Sequence, residues 1–143
     1  MTIAKTICVP PDLASDVIAK CSETVLKGLA TAPGVSISEL LDDIVAKRAQ
    51  LWLVLDGKDP LATAVTEIIH DGDKRYVAVF GLGGRDLWKW SRSFAETMVN
   101  YAKAEGCDRV RFAGSEAWGR VVPDCHKIGM MHGQAIFERA ANG

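Results

Sequence analysis

Three apolar, β-prone runs follow one another between Leu51 and Phe80, each closed by a tight-turn sequence. Leu51–Leu55 is a continuous apolar run, Leu61–Ile69 is the second and Tyr76–Phe80 the third. Asp56-Gly57-Lys58-Asp59-Pro60 and His70-Asp71-Gly72-Asp73 separate them, and both have hairpin-turn composition. Strands joined by turns this short pair antiparallel, so the middle of the chain predicts a three-strand meander. Gly81, Gly83 and Gly84 then interrupt the third run, and the period changes to that of a helix. Leu87 to Glu105 carries Trp90, Phe94, Thr97, Met98, Tyr101 and Ala102 along one side, with Gly106 as its cap. Arg109–Ala113 alternates as a strand. A long helix between two strands is a crossover, so the strands of Phe80 and Val110 are expected to lie parallel.

The flanks complete the plan. Thr6–Val9 reads as a strand ended by Pro10 and Pro11, and Leu13 to Leu29 as a helix with Gly28 near its end. Thr31–Gly34 is a turn. Ser38 is the expected N-cap of a second helix bearing Leu40, Leu41, Ile44 and Val45, with Lys47 and Arg48 in its last turn. After Ala113 a short helix is expected over Ala117 to Lys127, its regularity broken by Pro123 and its end set by Gly129. Met130 to Glu138 is expected as a final strand. The reading is a mixed α/β (α+β) domain over residues 1–143, its central sheet an antiparallel meander plus one parallel pair, flanked by helices.

Composition narrows function. The net charge is −1 with 17 basic and 18 acidic residues, which gives no long-range attraction to nucleic acid or to an anionic membrane. No apolar run reaches the ~18 residues of a membrane span, and Met1 to Lys20 lacks a signal peptide's basic start and apolar core. Cys8, Cys21, Cys107 and Cys125 have no C-x-x-C spacing and read as free thiols of a reducing compartment, so a cytoplasmic protein is expected. His70, His126 and His132 have no metal-ligand spacing, and the adjacent Cys125 and His126 would point about 100° apart on a helix, so no metal site is expected. Gly81-x-Gly83 lacks the rest of a dinucleotide loop and reads as a structural turn.

The element order resembles the GNAT acetyltransferase fold, and two junctions carry the likeness. Glu105-Gly106-Cys107-Asp108-Arg109-Val110 looks like the family's helix end and next strand, and His126-Lys127-Ile128-Gly129-Met130 like its "KxGF" ending. Gly106-Cys107 followed by Gly114–Arg120, with Trp118 near the end, is similar to a group of small GNAT-like proteins of tailed phages and prophages, departing at Ser115 and Ala117. The resemblance implies acetyl-CoA as cofactor and an amine as acceptor, with Phe80, Gly81, Leu82, Gly83, Gly84, Arg85 and Lys89 holding the cofactor. Glu67 is the strand carboxylate matching the family's general base, or else a solvent-facing strand residue, and Cys125 stands where a general-acid Tyr is frequent, or else is a small packing residue.

The family's cofactor motif, Q/R-x-x-G-x-G/A, opens the long helix so that bare peptide N–H groups meet the pyrophosphate. Here that stretch is Asp86 to Ser91, with Lys89 and Trp90 in place of small residues and Asp86 at the first polar position. Two expectations follow. One is a phage or prophage accessory or virion-associated protein without ordinary acetyl-CoA turnover, docking a phage or host protein. The other is an N-acyltransferase whose displaced loop, Gly83, Gly84 and Arg85, forms an anion nest with Lys89. Trp88, Trp90 and Trp118 either fill the cleft or core, or anchor a partner. Arg109 and Arg111 share one strand face, as a solvated surface or a phosphate contact.

Overall fold

The computed structural model describes residues 4–26, 36–122, 124–131 and 133–141. β1 (Lys5–Cys8) is followed by a 3₁₀ turn (Pro11–Leu13), α1 (Ala14–Lys20) and α2 (Ile37–Val45). The meander is β2 (Gln50–Asp56), β3 (Asp59–Asp71) and β4 (Lys74–Gly84). Then come α3 (Leu87–Ala104), β5 (Arg109–Gly114), α4 (Trp118–Val121), β6 (His126–Met131) and β7 (Gln134–Ala140).

All seven strands form one sheet in the order β1-β2-β3-β4-β5-β7-β6. Every pairing is antiparallel except β4–β5, where the α3 crossover makes it parallel as expected. One face buries Trp52, Val77, Val79, Val110, Phe112 and Phe137 beneath α3. The other buries Leu51, Leu53 and Val65 beneath α1 and α2, against Ile18, Leu40 and Ile44. That second cover stops at β4: β5 and β7 alternate buried and half-buried residues, so their second face is open among the described residues.

Several local expectations are corrected. The first helix ends at Lys20, because Cys21 is extended (φ −85°, ψ 146°) and the Ser22 hydroxyl accepts the N–H of Val25 at 3.4 Å, a local turn that competes with helix. Gly28, Leu29 and the turn Thr31–Gly34 lie outside the described residues. α2 is capped by Ser36 rather than Ser38: the Ser36 Oγ accepts the N–H of Glu39 at 3.1 Å, the Ser-x-x-Glu spacing of a capping box. Lys47 and Arg48 lie beyond its end, Lys47 in the left-handed region at φ 64°.

α4 is only one turn long, not a helix to Lys127. Val122 is extended (φ −109°, ψ 116°), the conformation forced on a residue that precedes a proline, and Pro123 itself is outside the described residues. Gly129 falls within β6 rather than ending a helix. The single final strand is instead a hairpin, β6–β7, turning through Gly133 at φ 78°, with His132 outside the described residues. The cap of α3 is as read: Gly106 is left-handed (φ 74°), its N–H donates to Lys103 and that of Cys107 to Ala102, at 3.2 and 2.8 Å, a Schellman motif.

Candidate functional site

β4 and β5 pair over only four residues, from Tyr76 opposite Arg109 to Val79 opposite Phe112. Beyond that point they part. β4 stays with β3 through Thr63–Gly83 and Ala62–Gly84, while Ala113 and Gly114 of β5 stay with Ile136 and Ala135 of β7. The result is a fork in the sheet, and the β4 branch carries Phe80 to Gly84.

The glycines there continue the strand rather than break it, contrary to the sequence reading. Between the Val65–Phe80 and Thr63–Gly83 pairs, β3 spends one residue and β4 two, a bulge at which Gly81 takes φ 58°. Gly84 lies so close to β3 that a Cβ would stand 2.2 Å from the carbonyl oxygen of Leu61 and 2.5 Å from the Cβ of Ala62. Both glycines therefore have reasons internal to the sheet.

The first turn of α3 is where a pyrophosphate would have to sit. The Arg85 N–H is taken by the Leu61 carbonyl (2.9 Å). Asp86, the N-cap, is left-handed (φ 55°, ψ 48°) and its carbonyl accepts the N–H of Lys89 at 2.9 Å. Its carboxylate stands at the positive helix end, with the Arg85 guanidinium at 3.7 Å and the Lys89 ammonium at 4.0 Å. Arg85 is also bonded to the Asp59 carboxylate. Both candidate anion-binding cations thus already face carboxylates. Trp88 projects from this turn, 73% exposed, with the Lys89 ammonium 5.7 Å from its ring centroid.

Trp90 and Trp118 go the other way, both buried. The Trp90 indole N–H donates to the Arg85 carbonyl just past β4. Trp118 stacks on Phe112 (centroids 5.5 Å, 15° between planes) and rests on Gly114, whose added Cβ would be 3.1 Å from the indole. The two indoles meet edge-on at 5.8 Å, and Phe94 packs on both. Together they bridge the end of β4 to the end of β5 on the α3 face of the fork.

Glu67 lies on β3 opposite Ala78, on the same face as Val65, that of α1 and α2. Partial burial pushes its carboxyl up, and the carboxylate of Asp43 on α2 adds to the shift. Cys125 precedes β6 and packs against the core beneath α3. Burial pushes its thiol up to about 11, opposed by Arg139. The sheet lies between the two groups, and β4, β5 and β7 separate their strands, so the fold does not bring Glu67 and Cys125 together. Among the described residues no three His, Cys, Asp or Glu side chains cluster as a metal site.

Sequence reasoning saw that Arg109 and Arg111 share a face but not what they meet. Arg109 pairs with Asp71 (2.8 Å), Asp108 (3.0 Å) and Glu138 (3.3 Å), and Arg111 with Glu138 (2.8 Å). Both guanidinium groups lie over the ring of Tyr76, at 4.9 and 4.3 Å. Period two placed the arginines on one face; apart from the adjacent Asp108, their partners Asp71 and Glu138 come from strands whose register no local pattern encodes.

No family model matches the chain, and no curated protein matches it in sequence. Solved structures do match in shape. A probable acetyltransferase from Staphylococcus epidermidis superposes with a TM-score of 0.67 at 11% identity, over 98% of this chain and 100% of that one. A GNAT-family acetyltransferase from Staphylococcus aureus does so at 0.63 and 10%, over 97% and 99%. The N-acetylglutamate synthase of Neisseria gonorrhoeae, solved with coenzyme A and N-acetyl-glutamate, gives 0.64 at 9%, over all of this chain but 36% of that one. At such identities the likeness speaks for the fold alone, and that fold is the one the sequence resembled: the chain has the GNAT acetyltransferase fold.

Proposed function

We propose that this domain is a GNAT-fold binding protein that does not turn over acetyl-CoA in the ordinary way, an accessory or virion-associated component of a tailed phage or prophage. One observation carries the reading: the first turn of α3 presents Asp86, Trp88 and Lys89 where a pyrophosphate needs bare peptide nitrogens, and the Asp86 carboxylate at that helix end repels phosphate. The phage or prophage setting is supported by the pattern from Gly106 to Arg120. Trp88, exposed beside Arg85 and Lys89, supplies an aromatic anchor for a phage or host protein. The setting would be host cytoplasm or virion; among the described residues no helix is long and apolar enough to cross a membrane.

The second reading, an N-acyltransferase, is favoured by the open fork. The edge of β4 beyond Val79 is unpaired with β5 and would accept an extended acyl-CoA arm alongside Phe80 to Gly84. Glu67 would then take the amine proton. Isothermal titration with acetyl-CoA separates the two. The first reading expects no saturable heat up to about 1 mM ligand, the affinity of a −4 kcal/mol interaction; saturable heat together with amine acetylation would establish the second.

A further inference from the structure

The registers of four neighbouring strand pairs place five residues in one straight row. Glu67 of β3 is opposite Ala78 of β4, Ala78 opposite Arg111 of β5, Arg111 opposite Glu138 of β7, and Glu138 opposite His126 of β6. The row starts beside α2 on β3 and runs from β4 outward across the sheet face that, among the described residues, α1 and α2 leave open. Its first charge, Glu67, and its next, Arg111, have opposite sign, with only the methyl of Ala78 between them.

Each of those charges has capacity left. Glu67 has no cation within ion-pair distance among the described residues. It sits half-buried, and both that burial and the Asp43 carboxylate push its carboxyl up. Arg111 is fixed by the Tyr76 ring below it and by the bond from Nε to Glu138, and its two-pronged Nη edge is committed to no carboxylate among the described residues. A planar guanidinium held in that way is preorganised for a carboxylate ligand. Two strand spacings put the Glu67 and Arg111 Cα atoms about 9.6 Å apart. That spacing lets the two side chains reach opposite ends of one short molecule carrying both charges.

We propose that this row binds a small amino acid as its zwitterion, the ammonium on Glu67 and the carboxylate on the Nη edge of Arg111, with the carbon chain lying over Ala78. The carboxylate is the one the acyltransferase reading gives to the acceptor amine, and the proposal deepens that reading; the binding itself needs no coenzyme, so it can fail separately from the reading of the α3 turn.

The test is amide NMR of the full chain, without coenzyme, titrated with glycine, β-alanine and γ-aminobutyrate to about 50 mM, well above the ~1 mM of a weak site. At least one should give saturable shifts at Glu67, Ala78 and Arg111. Propylamine and propionate, each carrying one charge, should bind at least tenfold more weakly. Ala78→Leu, a substitution at a half-exposed position, should abolish the shifts with the rest of the spectrum unchanged, and Glu67→Gln should weaken binding at least tenfold. No saturable shift from any of the three amino acids would overturn the proposal. So would equal binding of propylamine or propionate, or binding that survives either variant.

Discussion

The indole N–H of Trp90 donates to the carbonyl oxygen of Arg85 at 2.8 Å, tying a fully buried side chain of α3 to the residue that follows β4. That bond fixes where the helix starts relative to the fork. Trp90→Phe keeps an aromatic ring but loses the donor and leaves the Arg85 carbonyl without it, so it should destabilise the fold by about 1–3 kcal/mol. Trp90→Ala removes the ring as well and should cost about 3–5 kcal/mol. Urea unfolding of the two variants beside the parent checks both figures; a neutral Phe variant would mean the bond does not anchor the helix.

Gly84 and Leu61 make the second test. A Cβ at residue 84 would meet the Leu61 carbonyl at 2.2 Å, so backbone must move. Gly84→Ala should cost about 1–3 kcal/mol, as overpacking does. Gly133→Ala is a useful comparison: no atom lies within 4 Å of its added Cβ, and only the positive φ is strained. Nuclear Overhauser contacts between Ala62 and residue 84 should weaken in the first variant and persist in the second.

Much of this architecture was legible in the chain. The meander followed from three β-prone runs and two turn sequences, and the parallel pair from the long amphipathic segment between Phe80 and Val110. Strand ends were not legible where tertiary contact overrides local signal. Gly81 to Gly84 look like a breaker, yet β3 holds them in the sheet through a bulge. The edge strand β6 escaped notice because all six of its residues are exposed, so it shows no alternation. Of the candidate site, the absence of small residues at the helix start was readable, but the expectation that Trp90 crowds it is corrected: Trp90 turns inward into the core and Trp88 outward. The row from Glu67 to His126 was not readable at all, since it depends on the register of strands far apart in sequence.

Glu67 gives a pH-dependent prediction. Its carboxyl is shifted up in the fold, so the folded state holds that proton to higher pH than the unfolded chain, whose carboxyl titrates near about 4.3. Folding therefore loses stability as pH rises from the unfolded value through the folded one. Glu67→Gln lacks that loss. Its midpoint of thermal unfolding relative to the parent should climb as pH rises from about 4 and level off once the folded-state carboxyl has ionised. A parent that gains on the variant over that range would reverse the assigned direction.

Cys125 should be a sluggish nucleophile. Its thiol is pushed up to about 11 from 9.0, which lowers the thiolate fraction near neutrality about 100-fold. Peptide mapping after iodoacetamide treatment at about pH 8 should find Cys125 labelled roughly 100-fold more slowly than a small free thiol, with the rate rising as pH increases toward the pKa. Rapid labelling would instead mark a thiol that is largely ionised, contrary to the upward shift that burial imposes.

Amide NMR observes the peptide nitrogens from Gly83 to Lys89 directly. Titrating the protein with acetyl-CoA to about 1 mM, a Kd scale of −4 kcal/mol, should leave the amide signals of Gly83, Gly84, Leu87, Trp88 and Lys89 in place. Saturable shifts centred on those five amides would contradict the account, because they would mean the pyrophosphate reaches the helix start despite Asp86 and the side chains around it.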